Sequence, residues 1–314
     1  MAILICTASF PVIFTKNSPV INTVAEVFDM GDTSNKIKAE SKEKFRIKLS
    51  SSEIKEIPAE EYVIGVLCGE ISPSYNEEAI KAQAVAAYTF AVRRSAEARK
   101  NGRDYDLTDS PSTDQCFTEK TVMYEKWGDK ADEYYKIFSD AVKKVSGQML
   151  LYDDSPALTV YHAMSSGMTN SSKDVWGSEL PYLVSVESVG DKLAKGYLSE
   201  VTLTEAEVAD KMKDICTVQP GSNAFENMNV SESGRVISAE INGKTVKGGE
   251  IASALSLKSG NFEVSYAGGN YCFTVKGSGH GVGMSQQGAL YMAKQGSSYE
   301  EILLHYYKGC KLKK

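Results

Sequence analysis

The stretch that decides the fold is EEAIKAQAVAAYTFAVRRSAEARK, residues 77–100, which is rich in alanine. Asn76 is well suited to cap the N-terminus of a helix here, and Asn101-Gly102 is well suited to end it. The two glutamates at its start favour the positive end of a helix dipole. Small side chains throughout let neighbouring elements approach closely. The sequence therefore predicts one long helix at the centre of the core.

Immediately before this helix, VLCGEISPSY (residues 66–75) places a carboxylate among apolar residues. Pro58 is well placed to begin a helix that runs to about Gly69, which puts Glu70 at or just past the C-terminus. The negative end of the dipole and the loss of hydration both penalise the charged form of Glu70 and raise its pKa. A raised pKa suits a general acid for cleavage of a glycosidic bond. The alternative is a surface glutamate, or one paired with Lys81.

Strands and helices alternate in the rest of the chain without a regular βαβ rhythm. The predicted strands are 45–49, two strands within 147–166 around an Asp-Asp-Ser-Pro turn, and hairpins at 235–248 and 261–277. The predicted helices are 131–145, Thr204 to about Ile215, Ser285 to Gly296, and Tyr299 to just before Gly309. We therefore expect an α+β fold, with a single mixed catalytic domain in which hairpins and peripheral lobes surround a cleft.

The N-terminal region differs from the rest of the chain. Residues 2–14 are uncharged and mostly apolar, but they are too few to span a bilayer and lack a positively charged start. We interpret residues 1–14 as the remnant of a membrane anchor or signal, with a buried strand-like terminus as the alternative. Residues 15–44 are then a linker, and 45–314 the catalytic domain. The expected location is outside the cytoplasm, attached to the membrane by the N-terminal segment.

Charge and cysteine spacing exclude several classes of protein. The formal net charge of −6, from 41 acidic and 35 basic residues, argues against a nucleic-acid-binding surface.

The six cysteines include no CxxC pair, so no zinc ribbon or thioredoxin-type site is present, while disulfide pairing stays open. Cys116 and His162 lie near polar stretches and would make half of a zinc site. The alternative for this pair is a buried thiol and a hydrogen-bonded histidine.

A glycine-rich loop, GSGHGVGMSQQG, precedes the helix that begins at about Ser285. Its spacing fits neither a Walker A motif nor a dinucleotide fingerprint, which disfavours nucleotide binding. Its glycines let the backbone approach another group closely. His280 either donates a hydrogen bond to a substrate or orients the loop.

Two long stretches resemble the stage II sporulation protein D family: EEYVIGVLCGEISPSYNEEAIKAQAVAAYTFAV (60–92) and GHGVGMSQQGALYMAKQGSSYEEILLHYYKG (279–309). YHAMSSGMTNSSKDVWGSELPYLVSVES, between them, resembles the Ser/Thr-rich stretch of the family. The resemblance covers about residues 45–310. It implies a membrane-anchored lytic transglycosylase that acts in sporulating bacteria during engulfment. Such enzymes cleave peptidoglycan between N-acetylmuramic acid and N-acetylglucosamine, and leave 1,6-anhydromuramoyl ends.

The resemblance also implies partners and site residues. The substrates would be glycan strands stripped of stem peptides, and the partners a sporulation amidase and a polytopic membrane protein. The catalytic residue of the family corresponds to Glu70, and zinc in some members points to Cys116 and His162. The residues expected to bind substrate or support Glu70 are Lys81, Tyr88, Tyr182, His280, Ser285 and Gln286. Tyr88 and Val184 depart from the family, in which many members have basic residues.

A second hypothesis comes from related proteins that share this domain. These resemble modifiers that bind the cell wall and enhance an N-acetylmuramoyl-L-alanine amidase without cutting sugar themselves. Glu70 would then be a binding or structural residue.

Overall fold

The computed structural model of this chain describes residues 42–314. The anchor or signal remnant at 1–14, and all but the last three residues of the linker, lie outside the described residues. Among the residues that are described, no helix is long and apolar enough to cross a membrane. Five cysteines in this range are free thiols.

Nine α-helices occur in the described range. They are α1 (Ala59–Glu70), α2 (Glu77–Lys100), α3 (Lys120–Trp127), α4 (Ala131–Lys144), α5 (Ser172–Trp176), α6 (Glu205–Met212), α7 (Gly248–Ala254), α8 (Gln286–Lys294) and α9 (Tyr299–Tyr306). Short 3₁₀ helices lie at Gly128–Lys130 and Val189–Leu193. The alanine-rich helix α2 packs against α1, α4, α8 and α9, which confirms its predicted central position.

The strands form several small sheets. They are β1 (Lys44–Lys48), β2 (Ile54–Pro58), β3 (Leu107–Thr108), β4 (Met149–Tyr152), β5 (Ser155–Pro156), β6 (Tyr161–His162), β7 (Leu198–Thr204), β8 (Phe225–Val230), β9 (Val236–Ile241), β10 (Lys244–Lys247), β11 (Phe262–Ala267), β12 (Asn270–Lys276), β13 (Met284–Ser285) and β14 (Lys311–Lys313). The sheet orders are β2-β1-β3, β10-β9-β8, β11-β12-β7, β13-β6 and β14-β4-β5. The fold class is α+β, as predicted.

The hydrophobic interior of the described range consists of two clusters. The larger cluster runs from Phe45 to Cys310 in sequence and surrounds α2. The smaller one lies between Val208 and Val275, where the sheets of β8–β10 and of β7, β11 and β12 pack with α6 and α7. The second cluster gives residues 198–276 an interior of their own.

Most predicted turns and caps are confirmed. The Asn76 side chain accepts a 2.9 Å hydrogen bond from the Glu78 backbone, and Thr204 and Glu207 form a complete capping box. The two predicted hairpins are β9–β10 and β11–β12. The Asp-Asp-Ser-Pro turn joins β4 to β5.

Helix ends show small differences. Pro58 ends β2 and caps α1 with an extended ψ of 140°, so α1 begins one residue later than predicted and ends at Glu70 rather than Gly69. Helix α6 stops at Met212, before the predicted Ile215. The sequence analysis missed the helices α3, α5 and α7 and the strands β2, β3, β7, β8, β13 and β14. Along β7, side chains alternate only between exposed and half-buried, so the sequence pattern is weak. The strand is defined by its antiparallel pairing with β12.

Candidate active site

Glu70 is the last residue of α1 and is half-buried. Its Oε2 accepts a hydrogen bond from Nε2 of Gln286 at 3.4 Å, and the backbone N–H of Cys116 also donates to its carboxylate. Gln286 is the first residue of α8, on the far side of the glycine-rich loop. The structure therefore brings two of the predicted site residues, Glu70 and Gln286, into contact.

The close approach of Cys116 depends on the glycine before Glu70. A Cβ on Gly69 would lie 2.6 Å from the Cys116 carbonyl oxygen and 2.8 Å from its Sγ. Only glycine leaves room for this backbone beside the end of α1. Because Gly69 has no side chain, the backbone N–H of Cys116 can approach the carboxylate of Glu70.

Desolvation raises the pKa of Glu70 to about 7, against the smaller opposing effects of Gln286 and the Cys116 N–H. Among the described residues, no cation forms an ion pair with this carboxylate. Both protonation states of Glu70 are therefore populated near neutral pH.

A chain of hydrogen bonds lies beside Glu70 that the sequence analysis missed. The Tyr62 hydroxyl donates to Oε1 of Gln115 at 3.1 Å, and Nε2 of Gln115 donates to the Tyr161 hydroxyl at 2.9 Å. The charge of Glu70 is the second cause, after desolvation, that raises the pKa of Tyr161, which places this hydroxyl near the carboxylate. Because Gln115 donates to the phenol oxygen, the phenol proton is available to another acceptor. No motif marks Gln115 or Tyr161, although Tyr161 directly precedes the predicted His162.

The start of α8 is fixed by a buried carboxylate. Ser285 caps α8, accepting from the Gly288 backbone at 3.1 Å and donating to Oδ1 of Asp191 at 2.7 Å. Asp191 is fully buried and also accepts from the hydroxyl and the backbone N–H of Ser165, at 2.6 and 2.7 Å. The sequence analysis predicted Ser285 but not Asp191, which lies in a short 3₁₀ helix without a recognisable motif.

The two predicted histidines form a pair. His162 lies in β6 beside β13, and its ring is 5.7 Å from that of His280, which is 5.6 Å from Trp176. Burial lowers the pKa of His162 to about 4 and, with the charge of His162, that of His280 to about 3. Both imidazoles are therefore neutral at physiological pH. The backbone N–H of Val282 donates to Nδ1 of His280 at 3.0 Å, a contact within the glycine-rich loop.

Lys81, Tyr88 and Tyr182 have other partners. Lys81 forms an ion pair with Glu78 and lies over the Tyr299 ring, so it is Glu78 and not Glu70 that it neutralises. The Tyr88 hydroxyl bonds to the Lys42 backbone. Tyr182 is only 3% exposed, and its hydroxyl accepts from the Leu158 N–H at 3.0 Å. The pairing of Lys81 with Glu70 is thus corrected, and no hydrogen bond in the described range supports Tyr182 as a residue that orients Glu70.

The sequence analysis predicted Cys116 and His162 as two ligands of a zinc ion. Burial, followed by the charge of Glu70, raises the pKa of the Cys116 thiol to about 11. The described residues contain no group of three or more histidine, cysteine or acidic side chains placed to hold a metal ion. Cys116 packs at the end of α1, and His162 packs against His280.

Comparisons with known proteins show the family of this chain. Residues 48–152, from the end of β1 to the end of β4, match a family model described as "Stage II sporulation protein". The chain is 38% identical over 263 residues to the stage II sporulation protein D of Bacillus amyloliquefaciens, covering 83% of this chain and 75% of that protein. It belongs to the stage II sporulation protein D family.

Two further relatives come from Bacillus subtilis (strain 168). Its stage II sporulation protein D is 36% identical over 269 residues, which cover 84% of this chain and 76% of that protein. A protein named amidase enhancer is 26% identical over 305 residues, covering 79% of this chain but 40% of that protein. The part of this sporulation family member that matches the family model contains Glu70 and α2, and ends before His162 and Gln286.

Proposed function

We propose that this family member is a lytic transglycosylase that cleaves the bond between N-acetylmuramic acid and N-acetylglucosamine during sporulation. The observation that carries the proposal is the environment of Glu70. This carboxylate is half-buried, has a pKa raised to about 7, and receives hydrogen bonds from amide donors rather than from a cation. A single group that is neutral and ionised in comparable amounts can serve as acid and then as base.

In the first step, protonated Glu70 donates its proton to the glycosidic oxygen, and the bond between that oxygen and C1 of the muramoyl residue breaks. In the second step, ionised Glu70 takes the proton of the muramoyl 6-hydroxyl as O6 forms a bond to C1. The proton count balances over the two steps, and no second carboxylate is needed, unlike in ordinary glycoside hydrolysis. Gln286 and the Cys116 N–H hold the carboxylate in place through both steps.

The test uses purified protein without any amidase, incubated with glycan strands stripped of stem peptides. Mass spectrometry of the products is expected to show 1,6-anhydromuramoyl ends. Because general acid catalysis contributes about 100- to 10,000-fold, Glu70→Gln is expected to lower the rate by that factor. Glu61→Gln, at the first turn of the same helix, is the matched control and is expected to keep the wild-type rate. A Glu70→Gln protein with the wild-type rate would sink the proposal.

The second candidate function is enhancement of an amidase, favoured by the similarity to the amidase enhancer. The same digestion separates the two functions. An enhancer produces no new sugar ends alone, but it raises the release of stem peptides when an N-acetylmuramoyl-L-alanine amidase is added.

The proposed setting follows from the proposed activity. We place the protein outside the cytoplasm of a sporulating bacterium, attached by its N-terminal segment, with a sporulation amidase and a polytopic membrane protein as partners.

Zinc also stays a prediction, with Cys116 and His162 as its two ligands. Metal analysis of the purified protein and of Cys116→Ser checks it.

A further inference from the structure

Arg235 is a buried arginine with a side-chain nitrogen that has no hydrogen-bond partner. It directly precedes β9, is 3% exposed, and its Nη1 is buried with no hydrogen-bond partner. Within residues 42–314, no carboxylate forms an ion pair with its guanidinium. A buried charge is strongly destabilising unless it is paired, so an unpaired guanidinium in a folded protein requires an explanation.

The backbone around Arg235 leaves space for the guanidinium. A Cβ on Gly260 would lie 2.4 Å from Nη1 and 2.7 Å from Cζ, so only glycine lets the guanidinium occupy this position. The carbonyl of Gly260 is held in turn by the backbone N–H of Val236, at 2.9 Å. The guanidinium is therefore positioned by close backbone packing and not by an ion pair.

Hydrogen bonds through Asn170 connect the turn that precedes Arg235 to His280. The Ser233 hydroxyl, two residues before Arg235, donates to Oδ1 of Asn170 at 2.7 Å, and the Asn170 amide donates to the His280 carbonyl at 2.8 Å. A ring nitrogen of His280 donates to the backbone carbonyl of Tyr161. The Tyr161 side chain in turn lies near Glu70. Trp176, whose ring is 5.6 Å from that of His280, offers a flat apolar face here.

A second buried nitrogen lies beside His280. Nδ1 of His162 is 3.1 Å from the Val282 carbonyl oxygen, so Nδ1 carries the proton and Nε2 is an acceptor. Nε2 is buried and has no hydrogen-bond partner. Two buried nitrogens near His280 therefore have no hydrogen-bond partner in the protein. One is a donor, Nη1 of Arg235, and the other is an acceptor, Nε2 of His162.

We propose that Arg235 binds the lactyl carboxylate of a muramoyl residue in glycan stripped of stem peptides. The proposal rests on the proposed function for the identity of the glycan. The stem peptide is attached to the lactyl group by an amide bond, and removal of the peptide leaves one free carboxylate on each muramoyl residue. A guanidinium recognises a carboxylate through two parallel charge-assisted hydrogen bonds. Arg235 is therefore a residue that distinguishes stripped glycan from glycan with its peptides.

The carboxylate of Asp174 is a competing partner for Arg235. Its charge raises the pKa of Arg235, yet burial prevails and lowers that pKa to about 10. Asp174 lies on α5, two residues before Trp176, and is half-buried. If Asp174 were the partner of Arg235, removal of either charge would have the same effect on the protein.

The test measures binding in the Glu70→Gln background, in which the proposed cleavage does not occur. Two probes of equal length are compared by calorimetry: a tetrasaccharide of alternating N-acetylglucosamine and N-acetylmuramic acid with free carboxylates, and chitotetraose, which has none. We expect Arg235→Gln to weaken binding of the muramoyl tetrasaccharide by about ten- to a hundredfold and to leave chitotetraose binding unchanged. Equal effects on both probes, or an effect on neither, would overturn the proposal.

Two further variants complete the design. Asp174→Asn is expected to bind the muramoyl probe as tightly as the background or more tightly, since a competing negative charge is removed. Weakened binding in Asp174→Asn would instead show that Asp174 and Arg235 act as a structural pair.

Arg235→Lys keeps the charge, and should retain part of the preference for the muramoyl probe even if Arg235→Gln fails to fold. A wild-type protein that binds the muramoyl probe but makes no sugar ends would contradict the proposed function alone.

Discussion

At the scale of single residues, Glu70 shows how burial and hydrogen bonding compete for one carboxylate. Gln286 and the Cys116 N–H both stabilise the ionised form, but desolvation at the end of α1 outweighs them. The contact with Gln286 is long, at 3.4 Å, so its contribution is small. Gln286 therefore lowers the pKa of Glu70 slightly, while desolvation determines that the pKa is raised.

The pH dependence of activity tests this balance. Under the proposed mechanism the protonated form of Glu70 begins the reaction, so kcat/KM is expected to fall as the pH rises through about 7. Gln286→Leu removes a donor to the ionised form, which raises the pKa further. We expect the alkaline limb of the profile to move up by about half a pH unit to one unit.

The neighbouring glutamine provides the control for this pH profile. The amide of Gln287 donates to the Tyr75 hydroxyl at 2.7 Å, and no hydrogen bond joins it to Glu70. Gln287→Leu should therefore leave the alkaline limb in place. A limb that stays unchanged or moves down in Gln286→Leu would contradict the assigned role of Gln286.

At the scale of elements, α8 positions Gln286 and is itself held by Asp191 through Ser285. Asp191→Asn replaces one acceptor oxygen with an NH₂ group, which then faces either the two donors of Ser165 or the hydroxyl of Ser285. Leaving these buried groups unsatisfied is expected to lower the free energy of unfolding by about 1–3 kcal/mol. Chemical denaturation measures the change, with the exposed turn residue Asp153, as Asp153→Asn, for control. Equal stability of the two variants would show that Asp191 does not anchor α8.

The sequence predicted the elements that have strong local signals. Helix α2 has a cap at each end, and β9–β10 has its Asn242-Gly243 turn, so each is encoded by neighbouring residues. The raised pKa of Glu70 was predictable because its apolar neighbours are adjacent in sequence. The resemblance to the family added Gln286, which periodicity alone does not mark.

The contacts that complete the site were not predictable in the same way. Tyr161, Gln115 and Asp191 are brought to it by tertiary packing, and none has a sequence signature of its own. Lys81 was placed near Glu70 by its proximity in sequence. The ion pair with Glu78, three residues away on the same helix face, competes successfully because both side chains are already close.

At the scale of the whole molecule, the candidate site exists only when both ends of the described chain are folded together. Glu70 and Gln286 are 216 residues apart in sequence, and a single large cluster around α2 holds their helices. Arg235 belongs to the region with the second cluster, 198–276, and the turn before it is linked to His280 by hydrogen bonds through Asn170. Movement of one region relative to the other would therefore alter the proposed carboxylate subsite while leaving Glu70 and Gln286 in contact.

The stability of the whole molecule should also depend on the protonation of Glu70. Its pKa is about 7 in the folded protein and about 4.5 when exposed, so the folded state binds this proton more tightly than the unfolded state. The stabilising contribution of the proton is full below about pH 4.5 and is lost as the pH rises through about 7. Because Glu70 is partly exposed, we expect the loss to be about 1–3 kcal/mol.

Glu70→Gln is therefore expected to gain stability relative to the wild type as the pH rises from about 4.5 to 8. The informative quantity is how the difference in free energy of unfolding between Glu70→Gln and wild type changes with pH. The substitution also alters the hydrogen bonds with Gln286 and Cys116, but that contribution does not depend on pH. Urea denaturation at several pH values measures it, with Glu61→Gln as the control that should show no such trend. A difference between Glu70→Gln and wild type that stays constant from pH 4.5 to 8 would mean that Glu70 titrates normally. The protein would then lack the neutral acid that the proposed reaction requires.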